Sequence, residues 1–501
     1  MRFPRPFRFR LLAVLACCAS LGLETLAWAQ ELPSLGEAGG EELSPRDERR
    51  YGEQIMLQYV RPDPSFLADP PTVEYLNHLG YQLVAASAAR HIDFEFFVIR
   101  DPTINAFALP GGFIGVHTAL ILTAQDESEL ASVLSHEIGH VQQRHLARSL
   151  ARQRESTMIA LGSILLALLA SRAGGGQGSE AALMVGQAAA IQRQLAFSRD
   201  DEREADRVGF AILVAAGFDP QAMPDFFGRM EQGMRAYASV APAYLQTHPL
   251  TVERIADMQG RAREVHTHQH LDGPEFQLVR ARLRVLQDES TPNLHDALDT
   301  YTDQIAHHSA VSESAAWYGV ALARLKLKQP QAALEAARNA RRLAKVASPM
   351  LDAMVAETSY AAAGSDAERA AALTMARENA TRYPLSRSLA IDCAEMMQAM
   401  GRNQEAIAFL REQLAISHSD PGYFRLLAAS HSALNHHALE HQADAEMYLL
   451  EGSTGAAVEQ LQIAKKSADA DFYTMTEIDA RLRQLTDQLK EEREEQARER
   501  R

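Results

Sequence analysis

Leu130-Ala131-Ser132-Val133-Leu134-Ser135-His136-Glu137-Ile138-Gly139-His140 is the stretch on which the reading of this chain turns. Leu130 to Leu134 make one apolar helical face, so the polar motif that follows emerges from a buried helix. Residues four apart turn through about 400°, and His136 and His140 therefore leave the same face, one turn apart, where they can grip one metal ion. Glu137 stands beside them, placed to polarise water at the metal and take its proton. The surrounding segment Asp126 to Arg152 is predicted to be one continuous helix. Glu127 and Glu129 lie in its first turns, where they suit the helix dipole. On that helix His145, nine residues from His136, turns to the opposite side and reads as a surface or second-contact histidine.

A catalytic zinc needs a third protein ligand and one open position. One zinc-protease pattern puts a histidine six positions after His140 and a glycine at 143; Leu146 and Gln143 exclude it. The candidates lie farther on, in Asp200-Asp201-Glu202-Arg203-Glu204-Ala205-Asp206. Glu202 and Asp206 share a helical face. One can bind zinc while the other accepts a hydrogen bond from a ligand histidine and fixes its tautomer; Glu204 points elsewhere.

Upstream of the metal helix, Asp47 to Ala86 has the pattern of an amphipathic helix and Phe94 to Arg100 that of a strand. A second extended stretch, Ile104 to Val116, is interrupted at Pro110-Gly111-Gly112, as at a sheet edge. Downstream of His270 the texture changes to alanine-rich helical pairs with turns at Gln329-Pro330, Gly364, Gly401 and Gly452. The 37-residue step from Gly364 to Gly401 is close to a tetratricopeptide period, and the 51-residue step to Gly452 predicts an intervening irregular helix. Residues 1–29 read as a cleavable signal peptide: Arg2, Arg5, Arg8 and Arg10, an apolar run from Leu11 to Leu23, then Ala27-Trp28-Ala29. Its removal leaves Cys393 as the sole cysteine, so the expectation is a periplasmic protein stabilised by its core without disulfides. The net charge of −15 argues against a nucleic-acid partner. Met158–Ala170 and Ala181–Ile191 are too short to span a bilayer and read as core helices, or as a lid or membrane-surface hairpin hinged at Gly174. The expected layout is signal 1–29, polar leader 30–46, metallopeptidase domain 47–265, helical repeat 266–480 and charged helical tail 481–501.

His136-Glu137-x-x-His140, Glu202-x-x-x-Asp206 and Thr247-His248-Pro249 with Arg254 resemble the M48 family of zinc metallopeptidases. Asn105-Ala106-Phe107 with Pro110-Gly111-Gly112 is similar to the extended stretch before that family's metal helix. The resemblance implies an α+β, mostly helical fold: a zincin-like domain with a small sheet, followed by an all-α tetratricopeptide-like domain. It implies one Zn2+ per chain on His136, His140 and Glu202, with Glu137 and Asp206 in catalytic roles. It also places His248 near the metal, as a regulatory fourth ligand, and offers Arg254 as an oxyanion stabiliser. With the signal peptide and the repeat, it implies a periplasmic endopeptidase that degrades outer-membrane β-barrel proteins stalled in assembly. The repeat would contact clients or the barrel assembly machinery, with peripheral membrane contact at most. The competing expectation is a chaperone or assembly scaffold working through the repeat, with proteolysis held latent.

Overall fold

The computed structural model describes residues 43–151, 198–236, 243–265 and 270–499. The signal segment 1–29, the leader as far as Glu42 and the apolar stretches 158–170 and 181–191 lie outside the described residues. Helix α1 (Pro45–Ile55) is capped by Ser44, whose hydroxyl accepts from the Asp47 N–H. A π-helical turn (Met56–Val60) follows, and α2 (Pro70–Ala85) starts afresh behind its N-cap Asp69. The single helix expected over Asp47–Ala86 is thus two, because Pro62, Pro64, Pro70 and Pro71 lack the N–H an interior helical position needs.

Strands β1 (Glu95–Ile99), β2 (Ala106–Leu109) and β3 (Phe113–His117) form one sheet in the order β1-β3-β2. β3 runs parallel to β1 and antiparallel to β2, which leaves β2 at the edge. The turn between β2 and β3 uses Gly111 and Gly112 at φ 77° and 92°, a left-handed region that glycine enters without steric cost. Strand alternation sends Phe96, Val98, Ile114 and Val116 into one core and Phe97, Ile99 and Phe113 into another beneath α1.

α3 (Thr118–Thr123) leads into α4 (Glu127–Gln142), the metal helix, whose Leu130, Leu134 and Ile138 are fully buried in the first of those cores. The helix stops well before Arg152. Arg144 takes φ 53°, its guanidinium held by Glu48 and the Leu43 carbonyl, and α5 (His145–Ala151) begins on a new axis. Then come α6 (Arg199–Ala215), α7 (Ala222–Ala236), α8 (Ala243–Thr247) and α9 (Val252–Glu264).

Helices α10 (Pro274–Leu286) and α11 (Thr291–Ala306) lead into the repeat. It pairs α12 (Glu313–Lys326) with α13 (Pro330–Leu343), α14 (Pro349–Ala362) with α15 (Asp366–Arg382) and α16 (Arg387–Ala399) with α17 (Asn403–Ile416). α18 (Pro421–Ala433), α19 (His437–Leu450), α20 (Thr454–Lys466) and α21 (Phe472–Glu499) complete it. Ala333, Ala336, Ala337 and Ala340 line the buried side of α13, where small side chains let neighbouring helices approach. The irregular helix expected between Gly401 and Gly452 is an ordinary pair, α18 and α19. Asn435 turns it at φ 59° in place of a glycine, 34 residues after Gly401. The boundary placed at 481 falls inside α21, whose Leu485 is fully buried against α20.

One apolar core runs from α2 and the sheet through Met258 and Phe276 to Val355, so the peptidase half and the first repeat helices share their interior. Polar contacts continue the join. Asp69 at the head of α2 holds the Arg282 guanidinium through two bonds of 2.6 and 2.7 Å, and Glu74 accepts from the Ser388 N–H at 3.0 Å. Arg61 donates to the Glu451 carbonyl at 3.3 Å.

Candidate metal centre

Two glycines decide how closely the ligand-bearing helices cross. A Cβ on Gly139 of α4 would lie 2.9 Å from the Ala205 carbonyl oxygen, and one on Gly209 of α6 would lie 2.9 Å from His136 Cα. α6 is started by a capping box in which Ser198 and Asp201 exchange bonds, and this sets the register that turns Glu202 and Asp206 towards α4. Gly209→Ala meets backbone and cannot be absorbed by a side-chain rotation. It is expected to cost about 1–3 kcal/mol in overpacking and to weaken metal binding, read as a lower Tm and a lower zinc content after dialysis. An unchanged zinc content in a folded variant would remove this crossing from the account.

His136, His140, Glu202 and His248 each offer one ligand atom, and these atoms all lie within 4.8 Å of one another. His136 Nε2 is 3.0 Å from His140 Nε2 and 3.4 Å from His248 Nδ1. Glu202 Oε1 is 3.0 Å from His248 Nδ1 and 3.5 Å from His140 Nε2, and Oε2 is 3.6 Å from His136 Nε2. A tetrahedral zinc with bonds of about 2.0–2.1 Å sets its ligand atoms about 3.3 Å apart, so these residues fit that ion. All four are at most 2% exposed.

Glu137 is fully buried, and no hydrogen bond among the described residues reaches either of its carboxylate oxygens; His248 Nε2 stands 3.5 Å from Oε1. Burial pushes its carboxyl above the usual range, opposed by the imidazoles of His248 and His136. A carboxylate raised in this way is a stronger base than an exposed one. Burial alone would lower the His136 pKa, but Asp206 and Glu202 outweigh it and lift it to about 9; burial dominates at His140 and holds it well below the usual value.

Asp206 lies with Oδ1 3.0 Å from His136 Nδ1, so its carboxylate orients the ring from behind. Arg254 holds that carboxylate in turn, Nε to Oδ2 at 2.6 Å and Nη2 to Oδ1 at 2.7 Å. Its Nη1 lies 2.7 Å from both the Pro249 carbonyl and Glu202 Oε2. The Arg254 guanidinium, expected as an oxyanion stabiliser, is buried here and bound to two carboxylates and to the chain beside His248.

Of the two expectations for His145, second contact is the one the structure shows, although not by the rotation argument. Because α4 ends at Gln142, the rotation argument does not carry across Arg144, and His145 is buried with Nδ1 2.8 Å from His140 Nδ1. Its Nε2 reaches Glu204 Oε2 at 3.1 Å, and Arg148 binds the same oxygen at 3.0 Å. Glu204 is indeed off the ligand face, yet it touches a residue that touches a ligand. Tyr244 is a member of the centre that the motifs do not reveal. Four residues before His248 and joined to it by a helical bond, its ring stacks on the imidazole with centroids 4.6 Å apart; that i, i+4 spacing is the signal that could have found it.

Residues 70–262 match peptidase family M48. The Beta-barrel assembly-enhancing protease of Escherichia coli (strain K12) is 32% identical over 492 residues, covering 96% of this chain and 97% of that protein. The Putative beta-barrel assembly-enhancing protease of Vibrio cholerae is 42% identical over 306 residues, 60% of this chain and 61% of that protein. The Mitochondrial metalloendopeptidase OMA1 of Schizosaccharomyces pombe is 34% identical over 209 residues, 42% of this chain and 56% of that protein.

Proposed function

The chain belongs to peptidase family M48, and from that membership we propose a periplasmic zinc endopeptidase that removes outer-membrane β-barrel proteins stalled in assembly. The observation that carries this reading is a four-ligand cluster beside a buried Glu137 with no hydrogen-bond partner among the described residues, all next to the sheet's edge strand. His136, His140 and Glu202 would hold the metal. Asp206 and Arg254 keep His136 and Glu202 in orientation. The chemistry a bound zinc supplies is Lewis acidity towards water and the scissile carbonyl. Glu137 takes the water proton on a carboxylate oxygen and returns it to the leaving amine.

The edge strand supplies the substrate track. The His117 N–H bonds to the Asn105 carbonyl, so by alternation the main-chain groups of Ala106 and Ala108 point away from β3. An extended client adds there as a strand, through backbone bonds that tolerate many sequences. That suits clients whose hallmark is unpaired β-strands, as the names of the Escherichia coli and Vibrio relatives suggest. The repeat serves as the surface for clients or for the barrel assembly machinery.

His248 would complete the cluster as a fourth ligand and, in that role, would compete with water for the metal. The segment carrying it also occupies the track: the Tyr244 N–H bonds to the Ile104 carbonyl at 3.2 Å, at the start of the same edge. We read this segment as a latch that a client strand displaces. His248→Ala is therefore expected to raise basal cleavage of an unfolded barrel protein several-fold. If His248 instead steadies the oxyanion, the same change lowers kcat by about 10²–10³, and that outcome ends the latch. In cells lacking the related protease, wild-type chain should clear a stalled barrel client while Glu137→Gln should let it accumulate. Equal clearance by both would leave the scaffold reading in its place.

A further inference from the structure

Arg280 of α10 is half-buried, and its guanidinium meets only neutral acceptors among the described residues. Nη1 donates to Gln277 Oε1 and Nη2 to the Leu122 carbonyl, each at 3.1 Å, while Nε is buried without a partner. The carboxylates whose charge reaches it are engaged elsewhere: Glu129 is held by Arg229, and Asp272 accepts from the Glu127 N–H at 3.0 Å. Burial works against the charge on Arg280, and a cation drawn out of water without a counter-ion is costly. In a chain of net charge −15, a guanidinium left without a carboxylate stands out. Arg280 lines a cavity of about 290 Å³ between α10, α11 and α12. Arg284, one turn further along α10, lines it too. Its partner Asp296, at 3.1 Å, is exposed, so that pair is weak and gives way readily. Another wall is the start of α12, where Ser312, Ala315 and Ala316 bring the positive end of a 14-residue helix to the cavity.

We propose that this cavity binds a phosphate group, with Arg280 and Arg284 as its two cationic contacts. A guanidinium presents paired N–H donors that match phosphate oxygens. One such fork occupies a planar carboxylate, whereas a tetrahedral phosphate has oxygens left for the second arginine and for the first turn of α12. A doubly charged anion also balances two guanidiniums and supplies the counter-ion that Arg280 lacks. The rest of the lining includes Leu122, Ala281, Ala310 and Val311, so a phosphate carried on an apolar group is accommodated as well as the free ion. The phosphate of a lipid headgroup and inorganic phosphate share this chemistry. The site lies outside the metal centre and does not depend on the peptidase reading.

The test is calorimetric titration of the full chain with inorganic phosphate, beside melting curves in phosphate and in chloride matched for ionic strength. Phosphate should bind and raise Tm above its value in chloride. Arg280→Gln and Arg284→Gln should each weaken binding about tenfold. Arg369→Gln, which removes an exposed arginine on α15, should leave it unchanged. Phosphate that does no more than chloride overturns the proposal. So does an equal loss in Arg369→Gln, which would reduce the binding to net charge. Should Arg280→Gln fail to fold, Arg284→Gln carries the comparison, because that side chain is 50% exposed; full affinity in a folded Arg284→Gln chain then overturns the site. Phosphatidylcholine vesicles with and without phosphatidic acid identify the source. Sedimentation with the phosphatidic acid vesicles that is lost in both arginine variants assigns the cavity to a lipid headgroup. Arginine-dependent binding of inorganic phosphate with no sedimentation assigns it to the free ion.

Discussion

Glu137→Gln is expected to leave zinc content intact and to lower cleavage of an unfolded protein by about 10²–10⁴-fold, the range that follows removal of a positioned general base. The amide keeps the size of the side chain and can still hydrogen-bond water, but it cannot accept the proton. Folding should not suffer. Both Glu137 oxygens are buried without a hydrogen-bond partner among the described residues, and burial already disfavours their charge. A neutral isostere removes that cost, so Tm should hold or rise. Metal analysis, a peptidase assay and a melting curve on one preparation decide it. A variant that cuts at the wild-type rate would take the base away from Glu137, and one that loses zinc would turn Glu137 into a ligand.

Glu202→Ala should lose its metal. The carboxylate faces His136, His140 and His248, and its oxygens lie 3.0–3.6 Å from their ring nitrogens. Removing it takes away one ligand bond and the negative charge that partly neutralises the ion. It also leaves Arg254 Nη1 with the Pro249 carbonyl but without its second carboxylate. Zinc affinity is expected to fall by more than the 10–100-fold typical of residues that only support a ligand. Glu204→Ala belongs in that smaller class. Its carboxylate holds His145, and His145 holds His140, so a loss of about tenfold is expected through this relay of side chains. Competition with a graded chelator gives the order directly. A larger loss at Glu204 than at Glu202 would reverse the assignment of the third ligand.

The parts of the centre that could be read in the sequence are those that depend on one helix at a time. His136 and His140 share a face because four residues make about one turn, and Glu202 and Asp206 do so for the same reason. The sheet edge was legible in Pro110-Gly111-Gly112, since two consecutive left-handed residues leave little choice but a tight turn. What escaped depends on distant parts of the chain. The break after Gln142 rests on Arg144, held in its left-handed conformation by Glu48 and Leu43 some 100 residues earlier. With the helix broken, His145 returns to the metal side. Arg254 could be placed near the metal but not given a role, because its role is set by which carboxylates surround it. Asn435 concealed a regular helical pair because asparagine did the work expected of glycine.

Zinc-edge anomalous diffraction from crystals of the zinc-loaded chain tests the central claim most directly. The account predicts one strong peak per chain, about 2.0–2.2 Å from a ring nitrogen of His136, a ring nitrogen of His140 and an oxygen of Glu202. A peak bound through other residues, or one that His136 and His140 share without Glu202, would contradict it.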